Sequence, residues 1–100
     1  MSPTAVRVFE IVKSIPFGQC ASYGMVGRAV SPPISGLVVG RILAHCDDEI
    51  PWWRVVAKDG SIVVGKRDVR LEVEQARRLR EEGIPMTDGK VSGGFMTVEL

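Results

Sequence analysis

Ile50-Pro51-Trp52-Trp53-Arg54-Val55-Val56, with Gly60 closing the turn beyond it, sets a proline, both tryptophans of the chain, an arginine and a β-branched pair side by side. Val55 and Val56 read as a strand start, Lys58-Asp59-Gly60 as the turn of a short hairpin, and Ser61-Ile62-Val63-Val64 as its return. In a generic small domain, two large aromatics after a proline pin a loop over the core, because aromatic burial dominates small cores. A functional loop is the competing reading, and it depends on what flanks the stretch.

Upstream, Asp47-Asp48-Glu49 is an acidic cluster that keeps a loop solvated. Before it a helix is expected from about Ser35 to His45, with Leu37, Val38, Ile42 and Leu43 as apolar positions. Gly40 inside that helix costs about 1 kcal/mol relative to alanine, so something should pass close to it. A shorter helix is expected from Tyr23 to about Val30, capped by Ser22, turning Met25, Val26 and Ala29 inward and broken by Ser31-Pro32-Pro33. Ser2-Pro3 is a helix start, and Ala5, Val8, Phe9 and Val12 recur at helical spacing as far as Ile15-Pro16. Downstream, Gly65-Lys66-Arg67-Asp68 leads into a helix from about Val69 to Glu82. Its apolar positions are Val69, Val73, Ala76 and Leu79, its supporting pairs Glu74 with Arg78 and Arg78 with Glu82, and Gly83 ends it. From about residue 84 the chain reads as a loose tail, in which Phe95-Met96-Thr97-Val98 could add an edge strand. Two short helices across a tight turn, followed by a hairpin, outline a mainly α, winged helix-turn-helix protein. The pattern alone leaves an ordinary helical bundle equally open.

A chain of 100 residues allows one domain, whose core is sufficient without metals or disulfides. No apolar run approaches the roughly 20 residues of a membrane span, and no signal-peptide pattern opens the chain. The expected setting is therefore intracellular: the cytoplasm, with the nucleoid in a bacterium or the nucleus in a eukaryote. Cys20 and Cys46 lie 26 positions apart without zinc-site spacing, and no cofactor motif accompanies them. The net charge of +1 does not announce a nucleic-acid binder, but its distribution is uneven. Residues 1–46 hold four basic side chains against one acidic, and residues 47–100 hold nine against eleven. The first half is thus poor in acids, as a phosphate-contacting surface requires.

Pro51-Trp52-Trp53-Arg54-Val55 resembles the active-site segment Pro-Cys-His-Arg-Val of the O6-alkylguanine-DNA alkyltransferases. Trp52 stands at the position of the alkyl-accepting cysteine and Trp53 at that of the histidine. A Pro-Trp-x-Arg-Val segment marks the alkyltransferase-like branch, whose members bind alkylated guanine without repairing it. Further motifs follow in order: Ile15-Pro16-Phe17-Gly18 resembles the family's Ile-Pro-x-Gly turn, Ala21-Ser22-Tyr23-Gly24 its Ser/Thr-Tyr-Gly segment, Val39-Gly40 its Val-Gly in the recognition helix, and Lys66-Arg67-Asp68 a Lys-Arg-Asp run of that branch. The resemblance spans about Phe9 to Gly83.

It implies a fold like the C-terminal domain of those alkyltransferases and a set of roles. Tyr23 would press on a phosphate and the flipped base. Trp52 would line the alkyl pocket, and backbone groups of Trp52 and Val55 would meet the base edge. Trp53 belongs to the same segment, Arg54 would hold the pocket loop through backbone carbonyls, and Arg67 would pack on the flipped base. Leu37 departs from the family, which has an intercalating arginine there, and Arg41 one turn on would supply the missing charge. The resemblance implies a non-enzymatic monomer that binds double-stranded DNA in the minor groove, flips O6-alkylguanine and flags it to nucleotide excision repair proteins, with no cofactor and no membrane. Two alternatives stand beside it: a winged-helix regulator without lesion specificity, and an alkyltransferase acting through Cys46 or Cys20.

Overall fold

The computed structural model describes residues 2–100. Three helices form the first half: α1 (Pro3–Lys13), α2 (Tyr23–Ala29) and α3 (Gly36–Leu43). Each begins where a serine can satisfy a free backbone N–H. Ser2, Ser22 and Ser35 accept from the amides of Ala5, Met25 and Val38 at 3.1, 3.1 and 3.2 Å. The expected periodicity of α1 is kept, with Val8 and Val12 fully buried against Val26, Val39 and Leu43. In α2 Val26 is buried, as is Val30 just beyond its end, whereas Ala29, expected to face inward, is exposed. In α3 the buried positions are Val39 and Leu43, and Leu37 is 67% exposed.

Glycine brings α2 and α3 together. A Cβ at Gly27 would stand 2.2 Å from the carbonyl oxygen of Ile34, and one at Gly36 would stand 3.0 Å from the amide nitrogen of Gly24. Neither obstacle is a side chain that can swing away, so the close approach of α2 to α3 and to the segment that leads into it requires both glycines.

The tryptophan stretch forms a single 3₁₀ turn, Trp52–Arg54, followed by β2 (Val55–Val56). The turn at Lys58-Asp59-Gly60 forms as expected: Gly60 N–H donates to Ala57 at 2.8 Å, and Ser61 N–H to Asp59 Oδ1 at 2.9 Å. The hairpin expected across it does not. β2 instead pairs in parallel with β1 (Ala21–Ser22), and Ser61 bridges to Lys90. The reason is burial. Val55 and Val56 are both fully buried, a condition met by a strand covered on both faces and not by half of an exposed hairpin.

The fold's short hairpin lies later, between β3 (Met86–Thr87) and β4 (Lys90–Val91). Asp88 and Gly89 carry it with φ of 54° and 74°, the left-handed pair of a tight type I′ turn. The segment from residue 84, read from the sequence as loose, is held to the body. Ile84 and Val91 are buried, and the Cys20 backbone donates to Phe95 at 2.8 Å and accepts from Thr97 at 2.7 Å. The suggested edge strand exists as one bridge, Cys20 with Met96, which extends the β1–β2 pair.

Between these strands runs α4 (Val69–Glu81), capped by Asp68, whose Oδ1 accepts from the Arg70 amide at 2.9 Å. Its phase differs from the expected one. Val69 and Val73 are 67% and 64% exposed, whereas Gln75 and Leu79 are fully buried. The inward stripe contains a glutamine because that amide has partners there: Gln75 Nε2 donates to the carbonyls of Trp53 and Val55, each at 3.0 Å. Glu74 pairs with Arg78 as expected, but Glu82 pairs with Arg54. Among the described residues no helix is long and apolar enough to cross a membrane.

Candidate lesion-binding site

Between α2, α3, the tryptophan turn and the start of α4 lies a cavity of about 390 Å³. Tyr23, the first residue of α2, reaches over Gly40, where a Cβ would meet its ring at 3.8 Å. The expectation that something passes close to Gly40 is met by this ring. Burial raises the Tyr23 phenol above its ordinary range, opposed by the positive charge of Arg67, so the hydroxyl is a neutral donor. Arg67 follows the 3₁₀ turn Val64–Lys66. Its exposed side chain makes no ion pair among the described residues and is available at the cavity mouth. Trp52 supplies the opposite wall, with its Nε1 donating to Asp48 Oδ1 at 3.2 Å.

A second, more open hollow of about 580 Å³ adjoins this cavity and shares Tyr23, Gly40, Ala44, Val64 and Arg67 with it. Leu37, Arg41 and Lys66 line it. The structure thus brings Tyr23, Trp52 and Arg67 to one cavity and sets Leu37 and Arg41 along its approach.

Trp53, Arg54 and Val55 do not line the cavity; they brace it from behind. The Val55 carbonyl accepts from Gln75 and its N–H donates to Trp52, so the backbone expected to meet a base edge is already engaged. Trp53 Nε1 donates to Glu82 Oε2 at 2.7 Å, and Arg78 lies over its ring at 4.5 Å. Arg54 does hold the loop through a carbonyl, that of Ile15 at 2.9 Å, but its stronger tie is to Glu82. Glu82 Oε1 also accepts from the Gly18 amide at 2.8 Å. One carboxylate therefore joins the Ile15–Gly18 turn, the tryptophan turn and the end of α4.

Four ionisable lining residues, Cys46, Asp48, Glu74 and Arg78, were not expected at the site. Asp48, read as a solvating charge, bonds to Trp52 and to Arg78 Nη2, the latter at 2.7 Å. Glu74 and Arg78 were visible as a spaced pair, but only as helix support. Hydrogen bonds from Arg77 and then Arg78 hold the Glu74 carboxyl below its ordinary range. Cys46, just beyond the end of α3, also lines the cavity. Among the described residues no group of three or more His, Cys, Asp or Glu side chains could hold a metal ion.

The helical frame with this cavity defines a class of protein. The family model of the 6-O-methylguanine DNA methyltransferase DNA-binding domain matches residues 3–84, and the chain belongs to that family. Within it, the chain is 37% identical over 81 residues to alkyltransferase-like protein 1 of Schizosaccharomyces pombe, covering 78% of this chain and 73% of that protein. It is 28% identical over 95 residues to a DNA base-flipping protein of Vibrio parahaemolyticus, covering 92% of each. The fold matches the crystal structure of S. pombe Atl1 in complex with damaged DNA containing O6-carboxymethylguanine, with a TM-score of 0.83 and 31% identity over 97% of this chain and 96% of that one.

Proposed function

We propose that this chain binds double-stranded DNA through its α3 side and holds an O6-alkylguanine, turned out of the helix, in the cavity between Tyr23, Trp52 and Arg67. The single observation that carries the reading is that cavity, opening onto a hollow lined by Leu37, Arg41 and Lys66. A neutral phenol and a guanidinium at the mouth suit a planar base, since a guanidinium stacks on a π-face and a phenol donates one hydrogen bond. Turning the base out costs a few kcal/mol, less where alkylation has weakened its pairing, and the difference favours damaged sites. The relative crystallised with damaged DNA supports the same direction. In this reading the protein acts as a monomer from the minor groove and presents the lesion to nucleotide excision repair proteins.

The reading includes no alkyl transfer. Trp52 occupies the position of the acceptor thiol in the resemblance, and indole is not a nucleophile. The two cysteines are poor substitutes, because the thiolate is the attacking species. Cys20 is fully buried, and burial first, then the Glu82 charge, push its thiol up to about 12 against the opposing pull of Arg54. Cys46 does face the cavity, but burial and the Asp47 charge push its thiol up as well. Incubation with O6-methylguanine duplex is expected to leave the intact-protein mass unchanged. Stoichiometric gain of one methyl, above all on Cys46, would refute this part of the reading.

Arg67 separates lesion binding from plain DNA binding. Arg67→Ala is expected to reduce the preference for O6-methylguanine over guanine duplex by about tenfold, with a smaller loss on the plain duplex. Paired titrations of the two duplexes measure it. Equal losses on both would assign Arg67 to the phosphate backbone.

A further inference from the structure

The cavity has two ends of different chemistry. Its mouth, shared with the outer hollow, is framed by Tyr23, Val64 and Arg67. Away from the shared rim, the lining includes Trp52 and a charged trio, Asp48, Glu74 and Arg78. A base entering from the Leu37 side meets Tyr23 and Arg67 first and carries whatever is attached to its far edge toward Trp52 and the trio.

The trio holds two carboxylates and one guanidinium. Arg78 is largely committed: Nε donates to Glu74 Oε1 at 2.8 Å, Nη2 donates to Asp48 Oδ2 at 2.7 Å, and its plane covers Trp53. Asp48 is not. Each of its oxygens accepts one bond, from Trp52 and from Arg78, and its side chain is 66% exposed. An ionised carboxylate offers about four acceptor sites, so Asp48 keeps acceptor capacity beside the Trp52 wall. This end of the cavity is richer in unused acceptors than in unused donors, and of its lining charges two are negative and one positive, Glu74 being paired also with Arg77 outside the lining.

Building on the lesion-binding reading, we propose that the pocket selects O6 adducts whose chain ends in a hydrogen-bond donor, a hydroxyl or an ammonium, over plain alkyl chains with the same number of carbons, and disfavours chains ending in a carboxylate. The juxtaposition of Asp48 with Trp52 makes Asp48 the specificity-determining residue, with Glu74 setting the sign of the local charge.

The test is a set of titrations of the full chain with one duplex sequence carrying guanine, O6-methyl-, O6-ethyl-, O6-(2-hydroxyethyl)-, O6-(2-aminoethyl)- or O6-carboxymethylguanine. Hydroxyethyl is expected to bind about fivefold tighter than ethyl, a neutral pair in which the charge of the DNA is unchanged. Aminoethyl should also bind tighter than ethyl, and carboxymethyl weaker. The hydroxyethyl-to-ethyl ratio should fall to parity in Asp48→Ala, a ratio in which any general weakening of the variant cancels. Glu74→Gln, a nearly isosteric change at a half-buried side chain, provides a second variant and should narrow the gap between aminoethyl and carboxymethyl. Ethyl binding as tightly as hydroxyethyl in the unaltered protein, or ratios untouched in both variants, would overturn the inference alone. Loss of any distinction between O6-methylguanine and guanine would instead sink the lesion-binding reading beneath it.

Discussion

Glu82→Ala is expected to remove about 3–5 kcal/mol of folding stability, the largest single effect available outside the apolar core. The side chain of Glu82 is 5% exposed and that of its partner Arg54 15%. Alanine would leave a guanidinium in a mostly dry site with its Ile15 carbonyl contact and the faces of Phe17 and Trp53, but no counter-charge. It would also strip the Trp53 indole N–H and the Gly18 amide of their acceptor. For a domain of this size such a loss lowers Tm by roughly 15–25 °C, readable by calorimetry or by circular dichroism. Glu82→Gln, which keeps an acceptor but not the charge, should fall between alanine and the parent. A loss under about 1 kcal/mol in Glu82→Ala would mean that the three segments are held by packing and not by this carboxylate.

Leu37→Arg is expected to act on binding and not on folding. With 67% of the residue exposed at the second position of α3, the substitution should change stability by no more than about 0.5 kcal/mol. If α3 enters the duplex beside the turned-out guanine, leucine fills the vacated volume but leaves the orphaned cytosine's polar edge unpaired, at a cost of about 1–3 kcal/mol. Arginine fills the same space and donates hydrogen bonds, so affinity for an O6-methylguanine duplex should rise about tenfold for each 1.4 kcal/mol recovered. The added charge also attracts any phosphate, and that part fades with salt. Titrations at two salt concentrations divide the effects: a gain confined to the lesion duplex and surviving high salt places Leu37 in the stack. A gain shared by plain duplex and lost at high salt would assign it to the backbone and favour the regulator without lesion specificity.

The helices were legible because their signals are local. Ser2-Pro3, Ser22 and Ser35 announce helix starts through hydrogen bonds only three residues long. The phase of α4 was not, because a buried glutamine looks polar until the carbonyls of Trp53 and Val55, some 20 residues away in sequence, are set beside it. Strand pairing failed for the same reason. Two-residue strands hold too little pattern to name a partner, and Val55 found Ala21, 34 positions upstream. One local signal was passed over: Asp88-Gly89, a strong short-range hairpin dipeptide, sat in the segment read as a tail. For the site, the family motifs led to Tyr23, Trp52 and Arg67, each of which lines the cavity. They also pointed to Trp53 and Val55, which do not line it, because adjacency in a motif says nothing of which side of a 3₁₀ turn a residue faces. Asp48 and Arg78 escaped because each looks like an ordinary surface charge until their ion pair, 30 positions apart, is seen closing over the indoles.

The single 3₁₀ turn that holds Trp52 and Trp53 has an optical consequence. These are the chain's only tryptophans, and their rings meet edge to face at 6.0 Å. All indole emission from the protein therefore originates in one turn of backbone, with one emitter lining the cavity and the other locked behind it against Glu82 and Arg78. With the rings 6.0 Å apart the two indoles share their excitation, so a nucleobase stacked on the first would quench both. Occupancy can thus be followed by ultraviolet fluorescence in the unlabelled protein, as a loss larger than one emitter in contact would give.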